Sequence, residues 1–217
     1  MGLLVVSVFG FCAIFAPWLA PYGQSEIVGD VWEPLFGNFF FGTDQIGRDM
    51  LSMLIYGARN MIALALLTTG CAFGLGSLLG FLAATMGGWV DQVLSRFVDV
   101  VISIPTLIFA LIVLSSTGTS IFALVTVIAI IYAMPVYRIA RAVAMDIEVM
   151  DYVEAARLRG EGLWWIMRKE ILPNALTPLA AEFGLRFCFV FLLISGLSFL
   201  GLGLQPPLAD WGAMVRD

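Results

Sequence analysis

The residues best equipped for chemistry lie at 151–174, DYVEAARLRGEGLWWIMRKEILPN. This is the one long charge-mixed stretch in a chain that is 61% hydrophobic and 12% charged. Its carboxylates and guanidinium groups have no imidazole to work with, because the chain contains no histidine. That removes serine–histidine hydrolases, histidine-ligated zinc and the usual general base, so no catalytic or metal-binding residue is assigned. What remains is recognition. Asp151 is expected to cap a helix starting at Tyr152, with Glu154 in the first turn against the positive end of the helix dipole. Ala155 and Ala156 leave one side of that helix shallow, a shape suited to a groove on another protein. Gly160 is expected to take the left-handed conformation that stops the helix. A second helix carries Leu163, Ile166 and Met167 at i, i+3, i+4, with Trp164 and Trp165 at headgroup level. Leu172-Pro173 is expected to end it and turn the chain back into the membrane. The plain alternative is an amphipathic connector with no partner.

Soluble globular chains carry roughly 45–50% apolar and about 25% charged residues, so this composition is that of a membrane protein. A net charge of −5 argues against nucleic acid as a partner, since phosphate neutralisation needs a basic face. Cys12, Cys71 and Cys188 sit inside apolar runs and read as small hydrophobes rather than a disulfide framework. No G-x-x-x-x-G-K-[ST] occurs, so the chain has no phosphate-cradling loop of its own, and no cofactor is expected in it.

A spanning helix needs about 20 largely apolar residues. Five candidates appear, at roughly 2–19, 61–86, 93–116, 120–143 and 176–204. The first lacks a positive leading region and is expected to be an uncleaved span rather than a signal peptide. The first loop carries Glu26, Asp30, Glu33, Asp44 and Asp49 against Arg48 and Arg59. Arg138, Arg141, Arg157, Arg159, Arg168 and Lys169 flank or occupy the fourth connection. The positive-inside rule then places the N-terminus and the 151–174 segment in the cytoplasm and the first loop outside. Gly70, Gly74, Gly76 and Gly80 form two small-xxx-small pairs for close helix packing. Pro105, Pro135 and Pro178 are expected kinks. Asp99, Glu182 and Arg186 are the charges inside spans; Asp99 and Glu182 either pair near a helix end or line a translocation path, and Arg186, deeper in its helix, is the better path candidate. In the first loop, 47–59 is expected to be a helix near the outer surface, capped by Thr43 or Asp44. Asp44, Arg48, Asp49 and Arg59 would be polar anchors or contacts for a partner outside.

Glu154-Ala155-Ala156, Gly160 six residues after the glutamate, and Leu172-Pro173 beyond have the spacing of the EAA loop of bacterial ABC importer permeases. The rest of the chain resembles the C-type permeases of the dipeptide/oligopeptide/nickel ABC importers. Phe15-Ala16-Pro17 and Leu19-Ala20-Pro21-Tyr22 resemble the end of that family's first span. FGTDQIGRD at 41–49 and LIYGAR at 54–59 resemble its external signature. Asp99 with Ile104-Pro105, and Tyr137-Arg138 with Arg141, fit its third and fourth spans. LSFLGLG at 197–203, Gln205-Pro206-Pro207 and Trp211-Gly212-Ala213-Met214 resemble the stretch after the fifth. Arg159 stands where the family usually has Leu or Met, and Glu170 where it commonly has an apolar residue or histidine; both departures bear on docking strength.

The resemblance implies an all-α polytopic protein with the type I ABC importer permease fold. Residues 1–60 would be the first transmembrane helix and external loop, and 61–217 the permease core with a cytoplasmic coupling loop at 144–175. Five transmembrane helices are expected, with a sixth missing beyond a C-terminal truncation that would leave the chain unable to transport. The chain would be the permease subunit of an ATP-driven importer of di- or oligopeptides in a prokaryotic inner membrane. Its partners would be a homologous B-type permease subunit, two ABC ATPase subunits, an extracytoplasmic substrate-binding protein and membrane lipid. Glu154, Ala155, Ala156, Gly160, Leu172 and Pro173 would couple it to the ATPases. It would not be an enzyme. An ATP-independent secondary transporter or channel is the alternative, and it leaves the 151–174 segment without a purpose.

Overall fold

The computed structural model describes residues 1–216, and every regular element among them is helical. Helix α1 spans Gly2–Leu19, and Pro17, which cannot continue a helix for long, precedes its end by two residues. Apart from Ala13 and Ala16 its side chains are largely uncovered, as suits a helix whose solvent is lipid.

Helix α2 runs without a break over Met50–Met86. Residues 50–59 of the expected separate surface helix are therefore the first part of α2, and 47–49 precede it outside any helix. At 1.5 Å per residue its 37 residues reach about 55 Å, well beyond the ~30 Å hydrocarbon core. The cap is also corrected. Asp49, rather than Thr43 or Asp44, accepts hydrogen bonds from the Ser52 amide at 2.8 Å and the Ser52 hydroxyl at 2.6 Å.

The expected third span is broken. Helices α3 (Gly88–Ser103) and α4 (Thr106–Thr117) meet at 88°. Pro105 offers no amide and forces its predecessor out of the helical region, and Ile104 is extended at φ −85°, ψ 128°. Helix α5, Ile121–Glu148, absorbs Pro135 without stopping.

The chain then turns at Val149-Met150 into α6, Asp151–Leu158, and α7 at Leu163–Ile166. A π-helical turn, Met167–Ile171, joins α7 to α8, Leu172–Phe199. Leu172-Pro173 thus does not end the second helix, contrary to expectation. The Leu172 amide reaches back five residues to the Met167 carbonyl, and this wider turn makes room for the ring of Pro173. α9 covers Trp211–Arg216. Among the described residues four helices are long and apolar enough to cross a membrane, 2–19, 50–86, 121–148 and 163–199, and the bent α3–α4 pair is a fifth if taken as one span.

Residues divide into two compact units. One comprises Met1–Leu66, Val113–Leu124 and Phe191–Asp217. It is organised around Trp211, whose ring nitrogen donates to the Leu54 carbonyl at 2.9 Å and whose ring meets Phe9 and Phe191 edge-on at 5.8 and 5.9 Å. Gly57 leaves room for that ring, since a Cβ there would lie 2.6 Å from it.

The other unit comprises Leu67–Ile112 and Val125–Val190. Within it, Gly76 and Gly80 of α2 lie against α5: an added Cβ would stand 2.5 Å from the Ala133 carbonyl oxygen at Gly76, and 2.8 Å from the Tyr137 oxygen and Arg141 nitrogen at Gly80. Gly70 and Gly74 face open space, so only the second of the two expected small-residue pairs brings helices together within the chain.

Candidate functional site

The short helix α6 is built as a separate piece. Its N-cap is Met150, with no side-chain cap, so Asp151 occupies the first helical position instead of the cap. There, with Glu154, it still opposes the helix dipole. The C-terminus closes as the sequence anticipated. Gly160 has φ +81°, its amide donates to the Arg157 carbonyl at 2.9 Å, and the Glu161 amide donates to the Ala156 carbonyl at 3.2 Å. These two bonds satisfy carbonyls that the last turn would otherwise leave orphaned.

One face of α6 belongs to the chain's own core. Val153 and Ala156 are fully buried, clustered with Phe81 and Ala84 of α2, Ala140, Ala144 and Ile147 of α5, Ile166, Met167 and Ile171, and Ala175 and Leu179 of α8. Ala155 and Ala156 therefore do not share a shallow face, because consecutive helical side chains diverge by about 100°. Ala155 stays on the exposed side with Glu154 and Leu158, the last 83% exposed. Val149, 81% exposed in the preceding turn, adds a second uncovered apolar group. Arg157 ion-pairs with Glu148, tying α6 to the end of α5. Arg159 sits 5.8 Å over the Trp165 ring, a partner within the chain for a residue expected to bear on docking. Leu172 and Pro173 are exposed, on the helix that leads away from this hairpin.

The charges inside spans separate into pairs. Arg186 and Glu182 bond to each other one turn apart on α8. Asp99 does not join them; it accepts from Arg138 at 2.6 Å. A further pair, Asp91 with Arg141, links α3 to α5 through both carboxylate oxygens. Beside it the Ser95 and Tyr137 hydroxyls lie 2.9 Å apart. Sequence reasoning missed the Asp91 pair. The available signal was spacing: Asp91 and Asp99 are eight residues apart and Arg138 and Arg141 three apart, and each pair falls near one helix face.

In the first loop, two of the four signature residues, Asp44 and Arg48, are drawn together. Asp44 Oδ1 accepts from the Ile46 and Arg48 amides at 2.9 Å each, and Oδ2 from Arg48 Nε at 2.7 Å. Asp49 caps α2, and Arg59 is exposed outside this network. Burial pushes the Asp44 carboxyl upward, but the Arg48 and Ile46 amides and the Arg48 guanidinium outweigh it and hold the group below the ordinary carboxylate value. A lowered folded-state value stabilises the fold above the unfolded value near 4, and that contribution is lost as pH falls through the folded value. Asp44→Asn is therefore expected to destabilise the protein by about 1.5–3 kcal/mol at neutral pH. Thermal unfolding in detergent should show the gap from wild type narrowing below about pH 4. An unchanged melting temperature at pH 7 would remove Asp44 as the organiser of this loop.

Fold and site together define a polytopic integral membrane protein that presents a short, separate helix between two apolar spans. Residues 76–217 match the family of binding-protein-dependent transport system inner membrane components. The chain is 38% identical over its full length, and over 74% of the relative's, to the di/tripeptide transport system permease protein of Pseudomonas aeruginosa. It is 36% identical to the probable D,D-dipeptide transport system permease protein of Escherichia coli, across 94% of this chain and 69% of that one. The dipeptide transport system permease protein of Escherichia coli K12 is 37% identical, across 100% of this chain and 75% of its own. The chain belongs to the family of binding-protein-dependent transport system inner membrane components. It is a multi-pass permease subunit of a bacterial ABC importer in the inner membrane, and not itself an enzyme. ATP hydrolysis resides on separate subunits, and the family works with a substrate-binding protein, an ATPase and a further permease. The ATP-independent alternative is not favoured.

Proposed function

We propose that this permease serves the uptake of di- and oligopeptides, and that α6 is the element through which ATP drives it. The supporting observation is the construction of α6: a helix of eight residues closed at its C-terminus by Gly160, detached from α5 by a turn, anchored inward by Val153 and Ala156 and bare on the side of Glu154, Ala155 and Leu158. The relatives named for di- and tripeptide transport support the substrate class. The complex pairs this chain with a homologous B-type permease, two ABC ATPase subunits and an extracytoplasmic binding protein. Residues 61–217 form its core and 144–175 its coupling loop, which lies in the cytoplasm, while the 20–49 loop lies outside. Closure of the ATPases displaces α6, and its anchored face transmits the displacement to the ends of α2, α5 and α8 in the same core cluster. Glu154, Ala155, Leu158 and Gly160 carry the contact, and Leu172-Pro173 sets the course of the helix beyond it.

Charge reversal at Glu154 tests this in the assembled importer. Glu154→Lys is expected to lower dipeptide uptake by about 5–150-fold, the range of typical coupling energies, while the ATPase subunits retain hydrolysis. Uptake equal to wild type, with the ATPases still copurifying, would remove α6 from the coupling path.

A further inference from the structure

We propose that Arg186 and the first turn of α4 form a subsite for the carboxylate of a passing peptide, with Glu182 standing in for that carboxylate when the subsite is empty. The proposal rests on the peptide-importer function above and names where in this chain the substrate is held.

A cavity of about 120 Å³ opens at the α3–α4 break. It is lined by Ile104 and Thr106 on either side of Pro105, by Tyr132 and Pro135 of α5, and by Arg186 of α8. Two independent features there favour an anion. The first is the Arg186 guanidinium, whose side chain is 19% exposed. Its Nε is taken by Glu182 one turn earlier, and its outer face lies 5.9 Å from the Phe189 ring. Among the described residues neither Nη atom has a hydrogen-bond acceptor, so both Nη nitrogens of the planar fork remain as donors for a second carboxylate. The second is the start of a twelve-residue helix. Pro105 accepts the first helical bond of α4 from the Phe109 amide at 3.0 Å. The amides of residues 106–108 come before any intrahelical partner, and Thr106 is in the cavity wall. An interrupted membrane helix that ends its N-terminus in a cavity favours negative charge there.

The Glu182–Arg186 pair explains how a cation persists at this depth. An unpaired guanidinium inside a span is expensive, and Glu182 neutralises it from the same helix. A bond to a neighbour four residues away occupies one edge of the fork without closing it. An arriving carboxylate shares the Arg186 charge with Glu182 from the open edge, and its departure leaves Glu182 as the one neutralising partner. No covalent step is involved. The cavity accommodates a carboxylate with its adjoining main-chain unit rather than a whole bulky peptide, so the selected feature is the free C-terminus and not the side chains.

The test uses the complete permease–ATPase complex in detergent, without binding protein, so that only the membrane path reports. Alanyl-alanine and alanyl-alanine amide are the probes, followed by saturation-transfer NMR. The wild-type complex is expected to bind the free acid about tenfold more tightly than the amide, and Arg186→Gln to abolish the difference. Glu182→Gln removes the carboxylate that shares the Arg186 charge and should tighten binding of the acid at least about threefold without affecting the amide. Should Arg186→Gln fail to assemble, Glu182→Gln alone decides. The exchanged pair Glu182→Arg with Arg186→Glu restores an ion pair: a purely structural role predicts full recovery, whereas the subsite predicts recovered assembly and lost acid preference. Equal binding of acid and amide by the wild-type complex, or an unchanged preference in Arg186→Gln, overturns the proposal. Uptake of alanyl-alanine into proteoliposomes with binding protein present is scored separately. Failure there refutes the peptide-importer function itself, whatever the binding result.

Discussion

Gly160→Val is expected to lower peptide uptake by the assembled importer about 5–30-fold, with weakened retention of the ATPase subunits on purification. The cause is confined to the backbone. At φ +81° a β-branched residue meets its own carbonyl environment at a penalty of about 1–2 kcal/mol, yet an added Cβ has no neighbour within 4 Å. No packing loss is mixed into the effect. What is lost is the pair of bonds from residues 160 and 161 that closes α6. An end free to unwind lets Glu154 and Leu158 drift from the pose that a partner would grip. The order of severity should be Val, then Ala, then Asn, because asparagine tolerates the left-handed region best of the three. Uptake assays with copurification on the same membranes read both consequences. Equal activity for Val and wild type would show that the end of α6 carries no coupling.

The second large effect belongs to the α2–α5 seam. Gly80→Leu should abolish folded, monodisperse protein, and Gly80→Ala should already cost about 1–3 kcal/mol. The obstacles at Gly80 are backbone atoms, the Tyr137 oxygen and the Arg141 nitrogen, each 2.8 Å from the new carbon, with Ala140 Cβ at 2.9 Å. Backbone cannot rotate aside, so the helices must separate. Separation would also pull on Arg141, whose guanidinium holds Asp91 of α3. Gly74→Ala, six residues earlier on the same helix, meets nothing within 4 Å and should be neutral or slightly stabilising, since alanine favours a helix over glycine by about 1 kcal/mol. Melting temperatures and yield in detergent compare the two. If Gly80→Ala melts like Gly74→Ala, close approach is not what that glycine provides.

These two glycines mark where sequence reasoning succeeds and where it stops. A glycine six residues after Glu154, closing a short charged helix, announces a left-handed residue through local chemistry alone. A row of four glycines on one apolar helix announces close packing but not which of them packs. That depends on where α5 crosses, and only Gly76 and Gly80 meet it. Proline shows the same division. Pro105 stops a helix because Ile104 before it is left extended, whereas Pro135 and Pro173 sit inside continuous helix. At Pro173 a π turn supplies the slack, and nothing in a dipeptide such as Leu-Pro reports that a wider turn will precede it. The loop cap misled for a related reason. Thr43, Asp44 and Asp49 are all competent caps by residue type. Asp44 is instead engaged by its own turn and by Arg48, which leaves Asp49 to start α2.

By itself the sequence determined what depends on composition and on neighbours close along the chain. That covers the membrane solvent, the apolar stretches, the polar hairpin with its stop at Gly160, and the resemblance to importer permeases. Bilayer insertion and short-range capping are local energies, and residues within one turn or one span set them. The tertiary structure decided what depends on residues far apart in the chain. It turned Ala156 inward while leaving Ala155 bare, joined Asp91 to Arg141 and Asp99 to Arg138, and opened the cavity where the α3–α4 break meets Arg186. In lipid an apolar pattern does not separate core from surface, because every face is permitted to be apolar. Close approach of backbones and the pairing of rare charges therefore choose the packing, and both are properties of distant segments meeting.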